Sequence, residues 1–508
     1  MAEHDAVIVG SGINGLACAA LLAKGGWDVC VLERNDWFGG AIRTAEITAP
    51  GYKHDVFSAW HPLWVGGPAH AQLGDDLARH GLEYLNTDYP TGTAFPDGSS
   101  AFLLRSAEAN MDELGAEWGP MLERFFPNAD LAFGILGTEL WSPSGASLAL
   151  KAVRRLGRGG ARDFAGQLLI SARDWLESTF ASEATHGVLA PWVLHTGLGP
   201  DAAGSGYMAQ VIAVAVQEGG MPIPVGGGAK LADALVAYIR EQGGTCELNV
   251  DVKRVSADGV RTADGTRIGA RRAVVCNVTP TQLYGELLEG YTAPPFRYGR
   301  SEMQIHFALK EPPKWEGDER LGKTAIVHLT PGLDGVSRAV NEAERGVLPE
   351  EGTIVVGQPL TMDPSRAPEG AGLLWVQLQE LPWHVKGDGE WTEKLRERYA
   401  DRIQARITKH VPNLESSIVQ RTVLSPADLW RANVNLVHGD PYGGSLALDQ
   451  NFLWRAQHAT PVANVWLVGA STHPGPGLGG GSGALVAQQL LQPSAIRRVL
   501  SRVPLPVR

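Results

Sequence analysis

The stretch from Asp5 to Gly40 limits this chain to few folds. Residues 6–9 form a short apolar run, as in a strand buried on both faces, which breaks into Gly10-Ser11-Gly12-Ile13-Asn14-Gly15. Residues 16–24 are rich in Ala and Leu and predict a helix ended by Gly25-Gly26; residues 28–32 predict a second strand that closes on Glu33. The result is a βαβ unit. Gly10 permits the tight turn, Gly12 lets the backbone approach a pyrophosphate, and Gly15 lets the helix pack on the strand, with free N–H groups facing the anion. Glu33, 18 residues after Gly15, is placed to accept hydrogen bonds from a ribose 2′-hydroxyl. An ADP-ribose moiety without a 2′-phosphate meets these demands, whether it belongs to FAD or to NAD.

A chain of 508 residues is too long for one simple core, and its 44% apolar residues can fill two domains. The net charge of −11 argues against a nucleic-acid binder. Cys18, Cys30, Cys246 and Cys276 lie far apart without CxxC spacing, so no zinc site or disulfide framework is expected. A reducing compartment, the cytoplasm, fits this pattern. The first strand begins too early to leave room for a signal peptide, and the longest apolar candidate, residues 208–216, is about half of the roughly 20 residues a membrane span needs. Any membrane contact is therefore expected to be peripheral.

Specific evidence for FAD comes from three motifs. GSGINGL, VLERNDWFGGAIRT and PGYKHDVFSAWHPLW together resemble the FAD-binding start of the phytoene desaturase-like flavoproteins. In particular they are similar to the phytoene dehydrogenase-related branch that includes the pyridine nucleotide-disulfide oxidoreductase domain-containing proteins. The resemblance implies that Gly10, Gly12, Ile13, Asn14, Gly15, Glu33, Arg34, Gly39, Gly40 and Arg43 belong to the cofactor site, with the Gly39-Gly40 loop beside the diphosphate. Many carotenoid desaturases carry Arg directly after this Gly-Gly; this chain has Ala41, with Arg43 two residues later, which weakens a carotenoid assignment more than it weakens FAD. The second motif follows Met221-Pro-Ile-Pro-Val-Gly226: a helix over 231–242, a strand over 246–250, Asp-Gly turns at Asp258 and Asp264, and a strand over 273–276. In the family, the residue matching Val252 contacts adenine through its backbone.

The third motif runs from Leu436 through Asp440-Pro-Tyr-Gly-Gly444 to Gly469-Ala-Ser-Thr-His473-Pro-Gly-Pro-Gly477-Leu-Gly-Gly480. It is similar to the family's closing FAD motif and implies flavin contacts from Gly469, Ala470, Gly477, Leu478 and Gly479. A helix starting near Gly480 would aim its positive end at the flavin edge that gains charge on reduction. Gly475, Gly477 and Gly480 also spell GxGxxG, but no acidic residue follows Asp449 and no strand completes a βαβ unit, so a second dinucleotide site is rejected. Electrons should then arrive from the organic substrate.

The resemblance implies an α/β fold: a Rossmann-type, glutathione reductase-like FAD-binding domain, as in the amine oxidase and phytoene desaturase superfamily, with an inserted α+β substrate domain carrying an antiparallel sheet. The expected FAD-domain segments are residues 1–69, 221–293 and 431–508, the last ending in a basic helix after Pro493. The substrate-domain segments are 70–220, mostly helical, and 294–430, with strands near 303–309, 324–329, 353–356 and 374–378 and a charged helix over 393–410. Ser425 and Asp428 have capping-box spacing. His306 reads as a core or pocket histidine. Lys151, Arg154, Arg155, Arg158 and Arg162 lie beside Leu148, Leu150, Val153 and Leu156, a pattern shared by solvated helix faces and membrane-surface helices.

These readings converge on an FAD-dependent dehydrogenase or oxidase, a desaturase in the family's terms. It would take a hydride from a C–H bond of an apolar substrate onto flavin N5, with oxygen or a quinone as electron acceptor. A homo-oligomer is compatible with them. His61 and His473 are the catalytic candidates, as base or substrate-orienting group. An amine oxidase is the alternative, permitted by 15 Trp. A non-enzymatic isoprenoid or lipid carrier, like the Rab GDP-dissociation inhibitors, would be expected to have a degraded FAD site. His54, His61, His70 and His80 lack ligand spacing, so no metal is expected.

Overall fold

The computed structural model describes residues 3–492; the basic tail helix expected after Pro493 lies outside the described residues. Glu3–Val9 is a strand, Ile13–Lys24 a helix and Val29–Leu32 the next strand, so the opening βαβ unit forms as the glycine spacing requires. The first strand sits at the middle of a seven-stranded sheet, parallel to Val29–Leu32 on one side and to Arg267–Cys276 on the other. Thr245–Glu247 extends one edge in parallel. On the other side the Asp-Gly turns fold Val252–Ser256, Gly259–Thr262 and Arg267–Cys276 into the expected antiparallel meander. Val465–Leu467 then joins the far end of Arg267–Cys276 in parallel.

Close packing explains why small residues line the glycine helix. A Cβ on Gly15 would lie 2.4 Å from the carbonyl oxygen of Gly10, and one on Gly483 would lie 1.9 Å from the carbonyl oxygen of Asn14. The opening helix thus rests directly on its strand and on the closing helix Gly481–Leu491. Because the atom nearest to Gly15 belongs to backbone and cannot swing aside, Gly15→Ala is expected to cost roughly 1–3 kcal/mol by overpacking. Denaturant unfolding of the purified variant checks this, and an unchanged midpoint would refute the packing role.

The second sheet also has seven strands, ordered Ile418–Leu424, Ser301–Leu309, Gly372–Leu381, Ile354–Gly357, Ile326–Leu329, Thr91–Ala94 and Ser100–Leu103. All neighbours are antiparallel except Ile326–Leu329 with Thr91–Ala94, which are parallel. The sheet is mixed rather than purely antiparallel, and two of its strands come from the segment expected to be mostly helical. The sequences TGTA and SAFL are short and rich in small residues, with Gly92 and two Ala; pairing beside a buried strand overrides their weak local preference. One face packs against helices that include Glu183–Leu194 and Ser205–Gly219, and the other against Glu393–Thr408.

The helix Pro68–Arg79 crosses the boundary expected at residue 70 and buries Leu73 and Leu77 in the core of the first sheet. The basic stretch lies on Pro143–Gln167, where the backbone leaves the helix at Gly157 with φ of +70°, so it is two pieces rather than one continuous face. Ser425 and Asp428 form the reciprocal capping box. No described helix is long and apolar enough to cross a membrane.

Candidate active site

A cavity of about 1230 Å³ takes its walls from both sheets and the loops that join them. Its first wall is built by the glycine motifs. Gly10, Gly12, Ile13 and Asn14 line it, as do Glu33, Arg34, Gly39, Gly40 and Val252. Gly469, Ala470, Gly477, Leu478 and Gly479 join them from the closing motif. Gly15 does not reach the cavity; its role is the helix–strand contact described above. Arg43 also departs from expectation: it is not among the lining residues, and its guanidinium stacks over the Trp37 ring at 4.1 Å. A cation over an indole face is held by the ring quadrupole and by its own stem packing, which turns Arg43 away from the cavity.

Three features of this wall fit a dinucleotide. The helices starting at Ile13 and at Gly481 have no side-chain cap, and Gly12, Ile13, Asn14, Gly481 and Ser482 line the cavity, so two positive helix ends face it. Asn14 Oδ1 accepts from the Gly483 amide at 3.3 Å and ties those ends together. Glu33 is fixed rather than free: one oxygen accepts from the Ser11 amide at 2.9 Å and hydroxyl at 2.7 Å, the other from the Asn35 amide at 2.9 Å. A carboxylate accepts about four hydrogen bonds, so a site remains for a ribose hydroxyl. The Gly39 amide bonds to the Ser11 carbonyl at 3.1 Å, which sets the Gly39-Gly40 loop against the glycine turn.

The second wall is where the structure and the catalytic expectation part. Neither His61 nor His473 lines the cavity. His61 is fully buried, its Nδ1 lies 3.1 Å from the Tyr84 hydroxyl, and burial holds its pKa down at about 4. His473 is buried as well, with its pKa lowered by burial to about 4, and its carbonyl faces His458 Nε2 at 2.9 Å. Both rings are buried outside the cavity wall. His306, buried edge-on to His54, is a core histidine outside the cavity wall.

Instead, the second sheet presents Glu302, Gln304, Gln377 and Gln379 to the cavity, together with Trp375. Positions 302 and 304 share one face of Ser301–Leu309, as 375, 377 and 379 share one face of Gly372–Leu381; Gln304 pairs with Gln377 across the ladder. Glu302 Oε1 accepts from the Tyr442 hydroxyl at 3.0 Å, and that hydroxyl accepts from Gln379 Nε2 at 3.0 Å. Tyr442 is positioned by the buried Asp440 carboxylate, which accepts from the amides of Gly299, Tyr442 and Gly444 at 2.6, 2.7 and 2.9 Å. Burial raises the Glu302 pKa to about 7 and pushes the Tyr442 phenol well above its ordinary value. Sequence reading missed this group. The alternation of Glu302, Gln304 and His306 within an otherwise apolar strand was the available signal, since a strand buried on both faces has no ordinary use for three polar residues in register.

The remaining lining is apolar and aromatic, including Trp60, Trp192, Met208, Val211, Ile212 and Phe452. His195 also lines it, 3.2 Å through Nε2 from His328 Nε2. The described residues contain no cluster of three or more His, Cys, Asp or Glu side chains able to hold a metal ion.

Known proteins resemble this chain in sequence and in fold. The chain is 27% identical to the mouse (Mus musculus) pyridine nucleotide-disulfide oxidoreductase domain-containing protein 2 over 543 residues, covering 95% of this chain and 92% of that one. It is 27% identical to a lycopene-forming phytoene desaturase of Paracoccus sp., covering 96% and 98%. The cyclohexylamine oxidase of Brevibacterium oxydans has the same fold, with a TM-score of 0.57 at 18% identity over 98% of this chain and 100% of that one. The model of the family described as flavin containing amine oxidoreductase matches residues 13–491, and the chain belongs to that family.

Proposed function

We propose that this flavoenzyme oxidises a C–H bond of a largely apolar organic molecule, with Glu302 rather than a histidine as the proton acceptor. Family membership makes the protein an FAD-dependent oxidoreductase. When bound, the flavin supplies a two-electron acceptor for a hydride. The chain's own residues do the rest. Glycine loops and two helix ends hold the cofactor, while aromatic and aliphatic walls exclude water and orient the substrate. The Glu302 carboxylate takes the proton released beside the oxidised carbon, and the Tyr442 hydroxyl and Gln379 fix its position. The observation that carries this reading is one buried carboxyl, held in the cavity wall with its pKa near neutrality.

The segments assigned to cofactor and substrate, and oxygen or a quinone as final acceptor, belong to the same proposal. So does a peripheral lipid contact. Phe133 and Leu136 of Ala129–Gly137 line the cavity, and the exposed Leu150 and Val153 lie on the adjoining helix near Lys151 and Arg155, which pair with Asp130. These residues support a route by which an apolar substrate would enter from a membrane surface. A reducing compartment is supported by four buried, unpaired cysteines. One observation favours amine oxidation as the second reading: a carboxyl among indole walls also suits an ammonium group.

The test is an anaerobic titration of the FAD-loaded protein with an apolar compound and with a hydrophobic amine, followed by visible absorbance. Bleaching by the apolar compound supports dehydrogenation, bleaching by the amine alone moves the enzyme to the second reading, and failure to take up FAD refutes both. A general base works deprotonated, so the bleaching rate is expected to rise with pH through about 7 and level off above it. A rate that falls over that range would remove Glu302 from this role.

A further inference from the structure

Two histidines meet where the helical wall of the cavity closes on the second sheet. His195 follows the last turn of Glu183–Leu194, and His328 comes two residues after Ile326, on the same face of Ile326–Leu329. Their Nε2 atoms are 3.2 Å apart, and the His195 ring lies against Trp192 with centroids 4.6 Å apart. Burial lowers the His195 pKa to about 3 and holds that of His328 well below its ordinary value, so both rings are neutral and each carries one proton. One Nε2 must then donate to the other. The choice is set by His328 Nδ1, which is buried and has no hydrogen-bond partner among the described residues. A proton there would be an N–H sealed in without an acceptor, and orphaned buried N–H groups are rarer in proteins than under-used acceptors. His328 therefore keeps its proton on Nε2 and donates it to His195 Nε2, which leaves the His195 proton on Nδ1. That atom has no partner among the described residues either, but it is not closed off, and His195 lines the cavity.

We infer that His195, held in place by His328, offers its Nδ1–H to the cavity as a hydrogen-bond donor, and that the substrate is an apolar molecule carrying a carbonyl oxygen that accepts from it. The inference rests on the proposed oxidation of an organic substrate in this cavity and specifies a second point on that substrate, away from the oxidised carbon. Strand pairing measures the separation. His328 lies opposite Val355, Val355 opposite Gln377 and Gln377 opposite Gln304, on the strand and face that carry Glu302. Three strand spacings amount to roughly 14 Å. A carbonyl oxygen accepts without having to donate, so it pairs with a lone N–H and leaves nothing of its own unmet. The adjoining lining from Trp192 and Ile326 is apolar, which suits a neutral acceptor better than a charged one. The requirement concerns this end of the substrate alone and is the same whether a C–H bond or an amine is oxidised beside Glu302.

The experiment binds 2-undecanone and undecane to the oxidised, FAD-loaded protein and to the double variant His195→Phe/His328→Phe. Replacing both partners removes the donor without leaving either ring's nitrogen unpaired. Affinities are read from the perturbation of the visible spectrum, and the carbonyl stretch of isotope-labelled 2-undecanone from infrared difference spectra. Comparing the ratio of the two affinities between the proteins cancels the unequal hydration of the two ligands. That ratio is expected to favour the ketone about tenfold more in the wild type than in the variant, the effect of one buried hydrogen bond. The carbonyl band should lie at lower frequency in the wild type than in the variant. An equal ratio in the two proteins, a wild-type band at the frequency the ketone shows in alkane solution, or no binding of the ketone by the wild type overturns the inference. Where the double variant fails to fold, the wild-type band still decides between a bonded and a free carbonyl. None of these measurements needs turnover, so their outcome stands apart from the oxidation reading, which is judged by bleaching alone.

Discussion

Glu302→Gln is expected to slow substrate-dependent bleaching of the bound flavin by about 10²- to 10⁴-fold, the usual contribution of a positioned general base. The substitution keeps the shape of the side chain and its ability to accept from the Tyr442 hydroxyl, so the cavity wall should stay in place. Stability provides the control. A glutamic acid whose pKa rises on folding gives stability that is complete below its unfolded pKa, near 4.5, and that is lost as pH climbs through its folded value of about 7. Glu302→Gln removes that loss, and the variant should be at least as stable as the wild type above pH 7. Rapid-mixing absorbance across pH, run beside thermal unfolding, separates the two effects. A variant that bleaches at the wild-type rate, or whose rate keeps the same rise near pH 7, would show that the proton goes elsewhere.

The largest effect on stability is expected at Arg366. Its side chain is fully buried and paired with Asp55 and with Asp363, the latter at 2.9 Å, while a third bond runs to the Pro224 carbonyl at 2.8 Å. Those carboxylates in turn accept from the backbone: Asp55 from the Gly228 amide at 2.7 Å and Asp363 from the Gly226 amide at 2.7 Å. One guanidinium thus gathers three separate stretches of chain, near residues 55, 226 and 363. Arg366→Met leaves two buried carboxylates without their counter-charge, which costs on the order of 3–5 kcal/mol. Combining it with Asp55→Asn should recover part of that loss, because the penalty lies in the orphaned charge rather than in the missing contact. Denaturant unfolding of the single and double variants measures both. A loss under ~1 kcal/mol for Arg366→Met would mean that water reaches the site and the pairing does little.

Local signals account for what could be read from the chain beforehand. The glycine turn, the opening helix, Glu33 and the closing helix at Gly481 are set by residues a few positions apart, and each lies where its spacing requires. The meander could be read for the same reason, since Asp-Gly turns specify their own hairpins. What escaped depends on distant pairing. Thr91–Ala94 is a strand because Ile326–Leu329 lies beside it, more than 200 residues away in sequence, and nothing within TGTA says so. His61 and His473 attracted attention as titratable groups next to glycine motifs, yet the side-chain direction that decides their role is set by Tyr84 and by the interior near Glu139. Glu302 acquires its chemistry only when Tyr442, from a loop 140 residues later, closes over it.

The strand order of the first sheet has a consequence for the birth of the protein. Its central strand, Glu3–Val9, is made early, yet its neighbour Arg267–Cys276 follows much later and Val465–Leu467 comes near the end. At the usual pace of synthesis, about 5–20 residues per second, roughly 20–90 s separate the first strand from the last. Until Arg267–Cys276 is made the opening strand has an unpaired edge, the condition under which nascent chains need shielding from one another. The closing glycine loop and the helix at Gly481 come later still. Flavin loading is therefore a late event, since the cavity it needs takes one wall from the turn at Gly10 and Gly12 and another from the loop and helix at Gly477 and Gly481, made far apart in time.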